Sequence, residues 1–147
     1  MNAYLSYFLN EEQVIAALDD PEEGIDQAYM LQKEDLDYLL EVWDQYSEEW
    51  RIGICYFAGC ATLDDSLNLL IHGLNNSNDE VKFQSLCSIL QSASEEFEDS
   101  DELPNILNPL LINRLILEIR NSQQLQMLQE DFGNVIDKMK STSSNFY

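Results

Sequence analysis

Leu36-Asp37-Tyr38-Leu39-Leu40-Glu41-Val42-Trp43 and Leu67-Asn68-Leu69-Leu70-Ile71-His72-Gly73-Leu74 are one amphipathic pattern written twice, 31 residues apart. The same shift lays Glu49-Trp50-Arg51 on Glu80-Val81-Lys82, and the polar link Asp44-Gln45-Tyr46-Ser47-Glu48 on Asn75-Asn76-Ser77-Asn78-Asp79. Apolar residues at i, i+3, i+4 and i+7 make one face of a helix. Leu36 to Ala93 therefore reads as two consecutive helical hairpins built on one template. The second helix of the first hairpin opens at Ser47 and carries Trp50, Ile54, Phe57, Ala58 and Ala61 on one side, Ile52, Cys55 and Cys60 on the other. A helix without a polar face must be covered on most sides, so this one is expected at the centre of the domain. Gly53 and Gly59 each weaken it by about 1 kcal/mol relative to Ala, a cost that close approach of a neighbouring helix explains.

The rest of the chain is read outward from this pair. Asn2 to Leu9 is apolar and aromatic and reads as a short helix covering one end of the core. Asn10, three residues before Gln13, is placed to cap a helix through Val14, Ile15 and Leu18. Asp19-Asp20-Pro21 ends that helix, and Asp20 is expected to cap the next one, with Pro21 at its first position and Ile25, Ala28 and Tyr29 facing inward. In the second hairpin, Thr62 with Asp65 and Ser77 with Glu80 read as capping boxes. Val81, Phe83, Leu86, Cys87, Leu90 and Ala93 continue the core, with Ser85, Ser88 and Ser92 on the exposed side. Ser94 to Glu102 holds six carboxylates in nine residues and reads as the main loop. Asn108-Pro109 starts a further helix through Leu110, Leu111, Leu115, Ile116 and Ile119, and Gln123 to about Met139 carries the last apolar stripe. The expectation is a single all-helical domain over residues 1–140, of about six to eight helices, with residues 141–147 as a flexible tail.

Composition limits the function classes. The chain has 147 residues, 45% of them hydrophobic, enough to bury a core in one domain. Twenty-eight acidic residues face seven basic ones, a net charge of −21, and residues 1–50 hold fourteen carboxylates against the single Lys33. Such a field repels nucleic acid and anionic membrane and attracts basic surfaces; solubility alone is the competing explanation of the acidity. No apolar run approaches the about 20 residues needed to span a bilayer. Met1 to Leu9 has no basic start or cleavage pattern, and Cys55, Cys60 and Cys87 suit reduced, buried thiols, so a cytoplasmic location is expected.

The helix that ends in an Asn/Asp-rich turn, followed by a helix opening Asp79-Glu80-Val81-Lys82, resembles the HEAT and armadillo class of helical repeats. That resemblance implies a short HEAT-like stack of antiparallel helical hairpins, although the 31-residue period is shorter than the roughly 40–47 of those families. Small, acidic, all-helical HEAT-like chains also resemble the immunity proteins of bacterial polymorphic and contact-dependent toxin systems. The general layout, with the Leu110-Leu111-Ile112-Asn113-Arg114-Leu115 helix before a Leu-rich last helix, carries this looser similarity. It implies a cytoplasmic protein inhibitor with no catalytic residues.

No motif for enzymatic, cofactor or metal chemistry stands against that reading. His72 is the only histidine, so a histidine pair is impossible within one chain. The cysteines lack a flanking signature of a nucleophile. Glu98-Asp99-Ser100-Asp101-Glu102 lacks the alternating ligands and central Gly of a calcium loop. The remaining signal is aromatic residues among acids. Trp43, Tyr46 and Trp50 bracket the first inter-helix turn, with Tyr29 and Tyr38 upstream beside Glu34, Asp35 and Asp37; the tryptophans are open to a core or an interface role and Tyr46 is the better surface candidate. The expected partner-binding residues are Asp35, Asp37, Asp44, Tyr46, Glu48 and Glu49, with Glu95, Glu96, Glu98, Asp99, Asp101 and Glu102. They would meet a basic toxin domain, such as a nuclease. The alternative is a helical scaffold or adaptor whose acidity serves solubility.

Overall fold

The computed structural model describes residues 2–143. Among them are nine α-helices and one 3₁₀ turn: α1 Ala3–Leu9, α2 Glu11–Ala17, α3 Glu22–Ala28, α4 Lys33–Glu41, the 3₁₀ turn Trp43–Gln45, α5 Glu48–Ala58, α6 Leu63–Leu74, α7 Asp79–Ser100, α8 Pro109–Asn121 and α9 Leu125–Ser143. The fold is all-α. α5 and α7 begin 31 residues apart, and the residues paired by the repeat share their burial: Leu36 with Leu67, Leu39 with Leu70, Trp43 with Leu74 and Trp50 with Val81 are buried, while Leu40 and Ile71 are half-buried. α6 packs along α7, but α4 lies on α6 and α1 rather than closing a hairpin with α5. Trp43 and Trp50, edge to face at 6.2 Å, join the two ends of that opened pair.

α5 lies at the centre, against α2, α3, α6 and α7. Its glycines mark the close approaches: a Cβ at Gly53 would stand 2.5 Å from Val14 of α2, and one at Gly59 3.0 Å from Ser88 Oγ of α7. The serines expected on the outside of α7 are in fact buried. Ser88 Oγ donates to Cys55 O at 2.6 Å, Ser92 Oγ to Gly59 O at 3.2 Å, and Ser85 Oγ to Val81 O at 2.9 Å while lying 3.1 Å from Cys55 Sγ. Spaced i, i+3 and i+7, they form a stripe, of which Ser88 and Ser92 meet carbonyls around the end of α5, where intrahelical donors run out. Gly73 of α6 completes this seam of small residues.

The seven-residue α1 is too short to persist alone, and it is tied at both ends. Asn2 Oδ1 accepts from Leu5 N at 2.7 Å, and the Asn2 amide donates to Asp35, which accepts in turn from Gln32 N at 2.9 Å. At the other end, Trp50 Nε1 donates to Phe8 O and Tyr46 Oη to Leu9 O, both at 2.8 Å. These are terminal carbonyls with no helical partner. Tyr46 stacks on Trp50 with ring centres 4.0 Å apart. Both tryptophans are therefore core, and Tyr46 is half-buried and engaged.

Several local expectations change. The acidic stretch is helical through Ser100, because Glu favours helix and half-buried Phe97 extends the apolar side of α7 by one turn beyond Ala93. The helix stops at Asp101, whose left-handed backbone (φ 59°) forms the C-cap. Asn78 replaces Ser77 as N-cap of α7, Pro21 replaces Asp20 at α3, and the Thr62 hydroxyl makes no capping bond. Tyr29 and Leu110 point to solvent. Residues 141–143, expected in the tail, continue α9, and 144–147 lie outside the described residues. α9 bends at Phe132 (φ −128°, ψ 21°). Beside the bend, a Cβ at Gly133 meets nothing within 4 Å. Gly133→Ala is thus expected to stabilise the protein by about 0.5–1 kcal/mol through the unfolded chain's entropy, read as a higher urea midpoint.

Candidate functional site

Every helix from α2 to α7 carries two consecutive carboxylates in its first turn: Glu11-Glu12, Glu22-Glu23, Glu34-Asp35, Glu48-Glu49, Asp64-Asp65 and Asp79-Glu80. The exposed amides and the positive end of the helix dipole favour acids there. Twelve of the twenty-eight carboxylates are therefore built into the starts of the elements.

The expected partner-binding residues separate into two groups. Around the start of α5, Asp44 lies 3.7 Å from Arg51, Glu48 pairs with the same guanidinium, and Glu49 is exposed. Arg51 also donates from Nε to Trp43 O, so this end is partly neutralised. Asp37 pairs with Lys33 at 3.1 Å. Asp35 is buried in the α1–α4 tie and is not presented to a partner. The second group lies at the end of α7: Glu95, Glu98, Asp99, Asp101 and Glu102 are exposed and Glu96 is half-buried. Because Ser88 meets Cys55 and Ser92 meets Gly59, α5 and α7 run parallel, and 1.5 Å per residue places the two groups roughly 25–30 Å apart. They are not one site.

At the α7 end, Asp64, Glu96, Ser100 and Glu102 line a groove of about 260 Å³. Burial, then the nearby Asp64, raises the Glu96 carboxyl above its ordinary 4.5. A raised carboxyl binds its proton more readily in the folded chain, so its charged form opposes folding above the folded value. That penalty fades as pH falls toward 4.5. Glu96→Gln is therefore expected to raise the urea midpoint at pH 7 and to leave it unchanged at pH 4.

The carboxylates of a third acidic surface fall in the acid-rich stretch from Asp19 to Glu49, though none of its lining residues is among the expected partner-binding residues. Tyr7, Gln13, Ala16, Ala17, Asp20, Glu22, Glu23 and Asp26 line an open cleft of about 520 Å³ between α1, α2 and α3. Burial, then Glu23 and Asp20, raises the Tyr7 phenol, which keeps its proton at neutral pH. Outside the cleft lining, three and four residues beyond Asp26 in the chain, Tyr29 is 65% exposed and Met30 50% exposed. Large apolar side chains beside carboxylates have the composition of an interface anchor and its charged rim. The acid pair after Pro21 was visible in the sequence. Tyr29 was visible too, as an aromatic residue among acids, but its expected inward orientation is wrong because the stripe of α3 ends with the helix at Ala28.

The remaining reactive groups are quiet. Burial pushes the Cys55 thiol up to about 12 and the Cys87 thiol to about 11, so both hold their protons at neutral pH. Cys60 is also raised by burial. His72 is exposed, its ring edge-on to Trp43 at 5.3 Å. Among the described residues no cluster of three or more potential ligands is placed to hold a metal, and no helix is long and apolar enough to cross a membrane. No family model, curated protein or solved structure matches this chain.

Proposed function

We propose that this chain is a non-enzymatic, cytoplasmic immunity protein that neutralises a cognate basic bacterial toxin domain, such as a nuclease, by direct binding. The observation that carries the reading is the acidic cleft of α1–α3, followed in the chain by the exposed Tyr29 and Met30. Carboxylates held at helix starts would take the place of phosphates for the toxin's Lys and Arg side chains, and the two apolar residues would supply the desolvated centre of the contact. We also read α4 to α7 as two HEAT-like units, since α4 lies on α6 and α5 on α7, which makes the frame a rigid holder of charge.

The test is neutralisation. A growth-inhibiting protein encoded beside this chain's gene is produced in cells with and without the chain, and the purified pair is weighed by light scattering. Restored growth and a one-to-one complex are expected. A neighbouring toxin that neither binds the chain nor is silenced by it would overturn the proposal, as would the absence of any such neighbour.

A further inference from the structure

α7 ends against its own charge. Its last turn carries Glu98 and Asp99 and no base, at the negative end of the helix dipole, where carboxylates are disfavoured. Glu95 stands three and four residues before them, and like charges at those spacings repel. The cap is Asp101 in the left-handed region (φ 59°), which favours glycine. Between Ala93 and this cap only Phe97 is apolar, and it is half-buried against the core. Opposite, the first turn of α6 brings Asp64 to one groove with Glu96 and Glu102, walled also by Leu103 and Pro104. Burial there, then Asp64, raises the Glu96 carboxyl. No ion pair among the described residues reaches this end of the helix.

We infer that the end of α7 is an acid-tightened clamp: its last turn opens locally while Glu96 is charged, and closes along the start of α6 when Glu96 takes a proton. The surrounding groups set the direction. Asp64 of α6 shares the groove, Ser100 and Glu102 line it from the end of α7 and the chain just beyond, and from α5 the Cys60 thiol lies near Glu95. The charged groups that α8 and α9 bring to α7, Glu118 beside Lys82 and Asp131 beside Cys87, lie roughly 21 and 14 Å back along the helix from Glu96 at 1.5 Å per residue. The ionisable neighbours are thus acids and a thiol, and a proton on Glu96 removes repulsion without giving up an attraction. A carboxyl raised in the closed form holds its proton more tightly there, so the closed form gains as pH falls toward the raised value. Acid ordinarily does the reverse, because it discharges paired carboxylates. Ala93 before the clamp and Leu107 after it are buried, which confines the opening to the helix end and its link.

The clamp involves no partner, so it stands or falls apart from the proposed function. Hydrogen exchange of the whole chain at pH 5 and pH 7, followed by mass spectrometry and divided by the intrinsic rate at each pH, tests it. Protection of the amides of residues 98–101 is expected to be about threefold higher at pH 5, the scale that one linked proton gives over this range. That gain should exceed any in α5, whose amides report the core. Glu96→Gln is expected to give these amides at pH 7 the protection that the parent has at pH 5, with no further gain in acid. Glu98→Gln removes a charge from the same helix end outside the groove, and is expected to keep the response to pH. Equal protection at the two pH values, a gain shared equally by α5, a Glu96→Gln variant that still tightens in acid, or a Glu98→Gln variant that no longer does would each overturn the inference.

Discussion

Trp50→Ala is expected to destabilise the protein by about 3–5 kcal/mol, the range for deleting a buried aromatic side chain, and to leave it close to unfolded if its total stability is at the low end of about 5–15 kcal/mol. Two losses coincide at this residue. The indole fills the space between α1 and α5, stacks on Tyr46 and meets the edge of Trp43. Its Nε1 is the donor to Phe8 O, a buried bond of 2.8 Å that closes the end of α1. Its backbone N–H is capped by Ser47 at the start of α5, and this bond alone survives the substitution. Trp50→Phe separates the terms, because it keeps an aromatic ring and orphans only the carbonyl, at a cost of about 1–3 kcal/mol. Urea unfolding followed by circular dichroism reads both values. An Ala variant that loses less than 1 kcal/mol would show that α1 is not anchored as described.

Capture of a basic toxin domain is expected to slow by about tenfold or more between low salt and about 0.5 M NaCl, with a much smaller change in dissociation rate. The cause is the long-range attraction of a body of net charge −21, which a Debye length of about 10 Å at 0.1 M salt already shortens. Contact residues act differently. Tyr29 is exposed and outside the core, so Tyr29→Ala should leave the fold intact while speeding dissociation about thirtyfold, the equivalent of a 2 kcal/mol anchor. Biolayer interferometry at several salt concentrations separates the two effects. An association rate indifferent to salt would remove the electrostatic part of the proposed function, and an unchanged Tyr29→Ala dissociation rate would move the contact away from the α1–α3 cleft.

Periodicity made the helices legible, since burial in Leu36, Leu39, Trp43, Leu67, Leu70 and Leu74 leaves a 3.6-residue trace whatever the partners are. It failed where chemistry and position separate. Ser85, Ser88 and Ser92 look polar, but a hydroxyl opposite a glycine and a helix-end carbonyl is satisfied inside the core. Glu95 to Asp99 look like a loop because carboxylates are dense, yet charge density says only that the segment meets water, and a helix surface meets water too. The candidate site was legible as charge and not as geometry. Asp35 and Tyr46 have the right chemistry for a partner but are engaged by Asn2, Gln32, Leu9 and Trp50, and the contacts with Asn2 and Leu9 join segments more than thirty residues apart, which no local pattern encodes.

The seam of small residues between α5, α6 and α7 sets the terms on which this protein can evolve. A side chain at Gly73 would meet Ser85 Oγ at 2.1 Å and Cys55 Sγ at 2.8 Å, so substitution there requires compensating change on two other helices at once. Most carboxylates at the helix starts have no such coupling, Asp35, Glu48 and Glu11 aside, because water and the helix amides are their main neighbours. Lineages can therefore exchange them one at a time, following a partner whose own surface drifts, while the interior is inherited unaltered.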